Sequence, residues 1–221
     1  IFKEINFDLT TILNHLRQQA YLTKGIKVTV KDERDKITHD YTFYFEGGIV
    51  SYVEYLNRSE EAKHKTVFYV AKEQDNIFVE VAMQYVDEIS GKELSFANNV
   101  HTVEGGMHLT GFKSAITRTL NDYARKNAFL KEKDDNLSGD DVREGLTSII
   151  SVKLKDPQFE GQTKAKLGTP DARTAVETVI NTELSDWLER NPLDARQIME
   201  KIILASKARL AAKAARETVL R

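Results

Sequence analysis

The stretch TVFYVAKEQDNIFVEVAMQYV, residues 66–86, contains two strand-like patterns separated by the polar run EQDN at 73–76. In its second half, Ile77, Val79 and Val81 alternate with other residues, so that an extended chain places their side chains on one face. Polar residues between two such patterns are typical of a tight connection. The stretch therefore predicts a β-hairpin with one buried face.

The residues before this hairpin predict a helix, a second hairpin and a short helix. NFDLTTILNHLRQQAYLTKG (6–25) carries an apolar stripe at helical spacing, and Asp8 is suited to cap its first turn. IKVTVKDER (26–34) and YTFYFE (41–46) predict two paired strands, since apolar and polar residues alternate in the first of them. IVSYVEYLN (49–57) follows a glycine pair and predicts a short helix.

The residues after the hairpin predict further strands and an amphipathic helix. ELSFANNV (93–100) predicts a strand, FKSAITRTLNDYARKNAFL (112–130) a helix that begins after Gly111, and VREGLTSIISVKL (142–154) another strand. KEKDDNLSGDD (131–141) predicts a polar loop between the last two. Up to the first amphipathic helix the pattern is a β-meander whose helices cover one face of the sheet, which makes the fold class α+β.

The remainder of the chain predicts helices alone. Thr169 and Pro170 suit the cap and first turn of a helix, and Asn191-Pro192 ends it. The final helix runs to the end of the sequence, and its alanine-rich half from Lys207 has a narrow apolar stripe, so we expect that half to project from the body. The predicted division is a body at residues 1–190 and a projecting helix at 191–221.

Composition excludes several classes of protein. The chain has 221 residues, 41% of them apolar and 30% charged, and a net charge of −2, which is too small to attract nucleic acid or anionic membranes as a whole. It has no cysteine, so disulfides and thiolate metal sites are excluded, and no apolar run approaches the roughly 20 residues of a membrane span. Because it begins at Ile1 rather than methionine, we expect it to be part of a longer protein.

The common catalytic motifs are absent from the sequence. It contains no phosphate-binding GxxxxGK[ST], no HExxH, no GxSxG and no GxGxxG after a strand. His101 and His108 flank a glycine pair without the neighbours of a catalytic histidine, so we expect packing or surface roles and a tight strand-to-helix turn at the glycines. Asp140 and Asp141 are expected as acids at a helix N-terminus rather than metal ligands.

One loop and two basic helices remain as candidate sites. GQTKAKLGTP (161–170) places Gln162, Thr163 and Lys164 between glycines, so it is either a solvated connector or a loop that presents a lysine to an anion. Basic residues also cluster on two predicted helices, where they form either solvated faces or a surface for phosphates. They are Lys113, Arg118, Arg125 and Lys126 on the first and Lys207, Arg209, Lys213 and Arg216 on the last.

Three longer stretches resemble a known family of proteins. LTKGIKVTVKDER (22–34), FANNVHTVEGGMHLTGFKSAITRTLNDYARK (96–126) and LSGDDVREGLTSIISVKLKDPQFEGQTKAKLG (137–168) are similar to the B subunit of bacterial DNA gyrase and to the equivalent subunit of topoisomerase IV. The resemblance runs from IFKEINF at the start of the chain to the last helix. Motifs of this length and order are highly specific.

The resemblance implies the fold and the organisation of the chain. It places the chain between an ATP-binding (GHKL) domain and a DNA-cleaving domain, as a transducer domain that couples ATP hydrolysis to strand passage and negative supercoiling. The implied fold is similar to a ribosomal-protein-five-like fold, with a left-handed βαβ crossover in a mixed sheet, against the usual right-handed rule. The last helix becomes the connector toward the cleaving domain.

The resemblance also implies residue roles, cofactors and partners. Gln162, Thr163 and Lys164 match a loop that contacts the γ-phosphate of ATP bound in the upstream domain, and Lys113 and Arg118 become candidate DNA contacts. The full subunit of this cytoplasmic enzyme requires ATP and Mg²⁺ and works with the gyrase A subunit, two copies of each, on double-stranded DNA. No catalytic or metal-binding residue falls in this chain, so we expect it to be inactive alone, to bind no cofactor or membrane, and to expose Lys164 to solvent.

Three alternatives remain open at this stage. A topoisomerase IV subunit acting in decatenation is the nearest one. A stand-alone module that binds a protein through its last helix, or one that binds nucleic acid, belongs to a different class of function.

Overall fold

The structure is a computed structural model, and it describes residues 6–34 and 36–219. Its helices are α1 Leu9–Leu22, α2 Ile49–Asn57, α3 Met107–Lys126, α4 Gly139–Arg143, α5 Pro170–Arg190 and α6 Pro192–Val219. Its strands are β1 Lys27–Asp32, β2 His39–Tyr44, β3 Phe68–Gln74, β4 Ile77–Tyr85, β5 Lys92–Ala97, β6 Val100–His101, β7 Leu146–Lys153, β8 Phe159–Glu160 and β9 Lys166–Leu167. The predicted beginning of the family match at residues 1–5 and the predicted end of the last helix at 220–221 lie outside the described residues.

The main sheet is mixed, and its order is β3-β4-β7-β5-β6. The predicted hairpin of β3 and β4 is confirmed, with Val70 opposite Val81. The predicted β-meander is wrong beyond that hairpin, because β7 inserts between β4 and β5, antiparallel to the first and parallel to the second. Its central position follows from burial, since every residue from Leu146 to Val152 is buried and an edge strand cannot bury both faces.

Helices cover both faces of this sheet, so the prediction that they cover one face is wrong. On one face, Val79, Val81 and Ile150 share a core with α3, α5 and α6. On the other face, Ala82 and Ile149 pack with residues of α1 and α2. The alternation in each strand sends successive side chains to opposite faces, and in β4 and β7 both sets are buried. The α+β fold class with a mixed sheet is confirmed.

Helix α3 begins at Met107, five residues earlier than predicted, and Gly111 lies inside it. Glycine weakens a helix interior, which is why the sequence pattern places the start after it. The structure shows what the glycine allows: a Cβ atom at Gly111 would lie 2.5 Å from the carbonyl oxygen of Arg173 in α5. The two helices therefore approach each other closely at this point, and α3 is fixed against α5 near its first turn.

The remaining elements are the N-terminal helix, the first hairpin and the last helix. Strands β1 and β2 form the predicted hairpin as a separate two-stranded sheet, and Asp8 accepts hydrogen bonds from the backbone amides of Thr10 and Thr11 at the start of α1. The break at Asn191-Pro192 is confirmed. The first half of α6 is anchored in the core through Ile198 and Ile202, whereas residues 207–218 are exposed.

Candidate functional site

The loop singled out by the sequence is the tip of a short hairpin between the main sheet and α5. Strands β8 and β9 pair with Phe159 opposite Leu167, and the chain reverses over residues 161–165. Gly161 has a φ of 85° and Lys164 a φ of 55°, so both adopt the left-handed conformation, which lysine enters at some energetic cost. The Lys164 amide closes the turn with a hydrogen bond of 3.3 Å to the carbonyl oxygen of Gly161.

The three candidate side chains lie at this tip and face solvent. Gln162, Thr163 and Lys164 are all exposed, which confirms the expected exposure of Lys164. The Lys164 ammonium lies 5.8 Å from the centre of the Phe159 ring. Two residues further on, the Lys166 ammonium pairs with the Glu160 carboxylate at 3.1 Å, whereas Lys164 forms no ion pair with any carboxylate among the described residues. The tip therefore presents a positive charge that no carboxylate among the described residues neutralises.

The base of the hairpin is held by the glycine pair that precedes α3. Strand β9 is bonded on its second side to this turn: the Leu167 amide donates to the Gly105 carbonyl at 3.1 Å, and the Glu104 amide donates to the Ala165 carbonyl at 2.9 Å. Leu167 itself is fully buried in the main core. The predicted strand-to-helix turn at Gly105 and Gly106 is confirmed, and it has a second task that the sequence did not reveal.

The N-terminus of α5 holds the other end of the hairpin. The Gln158 amide donates to the hydroxyl of Thr169 at 2.9 Å, and the Gly168 amide donates to the Gln158 carbonyl at 2.7 Å. Pro170 then occupies the first turn of α5, as predicted. An exposed, positively charged tip is thus mounted on a base that contacts the first turns of both α3 and α5.

The two histidines near the glycine pair are structural, as predicted. His108 is fully buried, and its Nε2 atom lies 3.2 Å from the hydroxyl of Thr102, while its Nδ1 atom has no hydrogen-bonding partner among the described residues. Burial lowers the pKa of His108 from 6.5 to about 4, because a charged imidazolium would lose its hydration there. Burial also lowers the pKa of His101, which is partly exposed.

The basic residues of α3 differ in how far they are already engaged. Lys113 pairs with Glu93 of β5 at 2.7 Å, and Arg118, three-quarters exposed, lies 3.9 Å from Asp122 of its own helix. Arg125 donates hydrogen bonds to the carbonyl oxygens of residues 131 and 134 and to Asn136, and so shapes the polar loop. Of the predicted DNA contacts, Arg118 is the one most available to a phosphate.

The basic residues of α6 include an ion pair that the sequence did not predict. Arg209 donates two hydrogen bonds to the Asp141 carboxylate, at 2.7 and 2.9 Å. Burial by itself raises the pKa of Asp141, but the hydrogen bonds from Arg209 and Ser138 outweigh that effect and hold the pKa below its usual value. Asp141 also closes a capping box with Ser138 at the start of α4, which confirms the predicted place of the acidic pair at a helix N-terminus.

The chemistry of the tip fits a phosphate group better than a metal ion. An ammonium and an amide donate hydrogen bonds, and a hydroxyl both donates and accepts them, so phosphate oxygens match all three. Within residues 6–34 and 36–219, no three histidine, aspartate or glutamate side chains are gathered as metal ligands. Every helix in the same ranges is too short or too polar to serve as a membrane span.

Comparison with known protein families and with curated sequences gives matches that agree with each other. The profile of the family described as DNA gyrase B matches residues 48–218. A protein from Clostridium acetobutylicum, named as the B subunit of DNA gyrase, is 50% identical over 224 aligned positions, which cover all of this chain and 34% of that protein. The chain thus spans about a third of that relative's length.

Two solved structures extend the likeness to three dimensions. The 43K ATPase domain of Thermus thermophilus gyrase B, solved with an aminocoumarin, superposes with a TM-score of 0.87 at 38% identity, covering 99% of this chain and 58% of that one. The ATP-binding domain of Francisella tularensis topoisomerase IV, solved with a small-molecule inhibitor, gives a TM-score of 0.79 at 28% identity, covering 95% of this chain and 56% of that one.

Proposed function

The chain belongs to the DNA gyrase B family, and from this premise we propose that it is the transducer of an ATP-dependent type II DNA topoisomerase. In the whole cytoplasmic subunit, an upstream domain binds ATP with Mg²⁺, and the chain couples the nucleotide state to strand passage. The partners are the gyrase A subunit, in an assembly of two A and two B subunits, and duplex DNA. The chain carries the sensing loop but none of the groups that cleave DNA.

One observation carries this proposal: Lys164 is an exposed cation without a carboxylate partner among the described residues, on a hairpin whose base is fixed to two helices. A lysine kept only for solubility needs neither a left-handed turn nor an anchored base. A lysine that detects the terminal phosphate of a nucleotide in another domain has to reach out of its own domain while its attachment stays fixed, and the anchored hairpin suits both requirements.

The residues of the tip divide the task between charge and hydrogen bonding. Lys164 places its ammonium on the terminal phosphate of ATP held by the neighbouring domain, and Gln162 and Thr163 add neutral hydrogen bonds at the same contact. Lys164 loses its anionic partner when that phosphate leaves. Because Lys164 then binds the two nucleotide states with different affinity, the orientation of the two domains responds to hydrolysis.

The fold and the boundaries that go with this function are also part of the proposal. The parallel pair β5 and β7 is joined through α3 and α4, and we assign the left-handed crossover of the ribosomal-protein-five-like fold to this connection. The body occupies residues 1–190. The connector toward the cleaving domain is assigned to residues 191–221, and the first half of its helix α6 is anchored in the core.

Helix α3 offers the DNA contacts. Helix α3 carries Lys113 and Arg118 at partly and strongly exposed positions. Backbone phosphates require only positive charge at suitable spacing. Gyrase is favoured over topoisomerase IV, because the matching family model describes DNA gyrase B and the curated relative that is 50% identical is a gyrase B subunit.

The test replaces Lys164 with alanine in the full-length B subunit assembled with its A subunit. ATP-driven supercoiling should fall by about 100-fold or more, the size of effect seen when one group that stabilises a transferring charge is removed. Nucleotide binding should remain largely intact, since most contacts to ATP lie in the other domain. Lys166→Ala, which removes a lysine already paired with Glu160, is the matched control and should keep its activity. Wild-type turnover in Lys164→Ala would refute the proposal.

A further inference from the structure

The hairpin that carries Lys164 contacts the turn that leads into helix α3, where Gly106 lies against Leu167. Leu167 forms a parallel bridge with Gly106, and the adjoining hydrogen bonds join Leu167 to Gly105 and Ala165 to Glu104. We refer to this contact between residues 104–106 and 165–167 as the joint. The residue that follows Gly106 is the first residue of α3.

The joint has no room for a side chain on the α3 side. A Cβ atom at Gly106 would lie 2.3 Å from the carbonyl oxygen of Leu167, 2.4 Å from its amide nitrogen and 2.9 Å from its carbonyl carbon. All three are backbone atoms, so no side-chain rotation relieves the overlap. Gly106 also has a φ of 131°, a conformation open to glycine and strained for other residues. The two backbones are therefore in direct contact.

On one side the joint is attached to the buried core, and on the other side it is separated from Lys164 by only a few residues. Leu167 is fully buried in the same core as Phe112 of α3 and Ala172 of α5. Lys164 lies three residues before Leu167, which sets an upper limit of about 11 Å on the distance between their Cα atoms. A displacement of the tip along the hairpin therefore reaches the first turn of α3 through backbone atoms, without passing through a flexible side chain.

We propose that Gly106 and Leu167 are positioning residues that transmit the nucleotide-dependent position of the Lys164 loop to helix α3, and through it to the DNA-facing residues Lys113 and Arg118. This inference depends on the proposed function, since it assumes that Lys164 senses the nucleotide. It adds the route by which the nucleotide state and the DNA-facing helix affect each other. Coupling of two sites is reciprocal, so DNA on α3 favours the same loop position that the terminal phosphate favours.

The first experiment measures coupling in the full-length B subunit assembled with its A subunit. Gly106→Ala, judged folded by its thermal transition, should keep ATP hydrolysis without DNA within about 2-fold of the parent, because Gly106 contacts neither the nucleotide in the proposed arrangement nor the side chain of Lys164. Stimulation of hydrolysis by DNA should fall by about 10-fold, within the roughly 5–150-fold range of allosteric coupling. Gly168→Ala is the matched control in the same hairpin, since its Cβ atom would meet only ordinary contacts of 3.5 and 3.7 Å, and it should behave as the parent.

The second experiment needs no glycine substitution and so holds if Gly106→Ala fails to fold. Amide hydrogen exchange of the full-length assembly is compared with a non-hydrolysable ATP analogue and with ADP. Residues 104–111, which include one side of the joint and the first turn of α3, should exchange differently in the two states, and the difference should vanish in Lys164→Ala.

Two results would overturn the inference. One is full DNA stimulation in folded Gly106→Ala, or loss of its hydrolysis without DNA. The other is a nucleotide-dependent change at residues 158–165 that stops short of 104–111. A failure of the proposed function is distinguishable, because it would appear as normal turnover in Lys164→Ala, whereas a failure of the joint alone leaves Lys164→Ala inactive.

Discussion

Acidification should destabilise the chain through His108 well before its carboxylates are protonated. This imidazole is fully buried beside Thr102, and its pKa is lowered from 6.5 to about 4 because the charged form loses its hydration. The unfolded chain takes up a proton near pH 6.5, while the folded chain resists it until about pH 4. The stabilising contribution is therefore complete above pH 6.5 and is lost as the pH falls toward 4.

The size of the effect follows from the difference between the two pKa values. At about 1.4 kcal/mol per pH unit, the interval from 6.5 to about 4 corresponds to about 3 kcal/mol of unfolding free energy. That is a large part of the roughly 5–15 kcal/mol that stabilises a typical protein. Burial also lowers the pKa values of His64 and His101, so the acid response of the chain has further sources and a variant is needed to isolate His108.

The assay is urea unfolding followed by circular dichroism between pH 7 and 4.5. His108→Gln keeps a polar group near Thr102 but cannot be protonated in this range, so its unfolding free energy should fall by about 2–3 kcal/mol less than that of the parent. His15→Gln changes an exposed histidine of α1 and should follow the parent. Parallel profiles for His108→Gln and the parent would show that burial of His108 does not cause the acid response.

Two further substitutions test the packing of α3 and its charge. Gly111→Ala should destabilise the chain by about 1–3 kcal/mol in the same assay, because the clash with Arg173 of α5 exceeds the gain of about 1 kcal/mol that alanine brings to a helix interior. The control Ser114→Ala changes an exposed residue of the same helix and should be neutral or slightly stabilising. A Gly111→Ala variant more stable than the parent would contradict the close approach of the helices. Arg118→Ala in the full-length assembly should reduce the magnitude of the slope of log affinity for duplex DNA against log salt by about 0.9, the value for one lost phosphate contact. The control Lys72→Ala on β3 should leave the slope unchanged. An unchanged slope in Arg118→Ala would exclude Arg118 as a DNA contact.

The local elements of the fold were predictable because each depends on a few adjacent residues. Alternation in residues 77–81 and the Asn191-Pro192 break identify a strand and a helix boundary wherever they occur. The order of the sheet was not predictable in the same way. The pattern of β7 shows which residues share a face, but both of its faces are buried, and the neighbours that bury them lie far away in the sequence.

The missed contacts have the same physical origin. Arg209 and Asp141 are 68 residues apart, and each also has an adequate local explanation, as a solvated helix charge and as a helix-capping acid. The cost of Gly111 in a helix is local and so predicts a helix boundary, whereas its benefit, the approach to Arg173, depends on a different helix. A local explanation that is already sufficient conceals a second, long-range one.

The candidate loop shows how missing long-range contacts affect the prediction of function. The spacing in residues 161–170 is compatible with either a solvated connector or an anion-binding loop, and the resemblance to a known family favours the second interpretation. What the structure adds is a contrast within one hairpin: Lys166 is neutralised by Glu160, and Lys164 is left without an ion pair among the described residues. A cation already paired in its own domain would bind an incoming phosphate only by giving up that partner, so its response to the nucleotide would be weakened. Under the proposed function, Lys164 has no such competing carboxylate among the described residues, so its affinity for the phosphate would act in full on the position of the hairpin, which the buried Leu167 joins to the core of the domain.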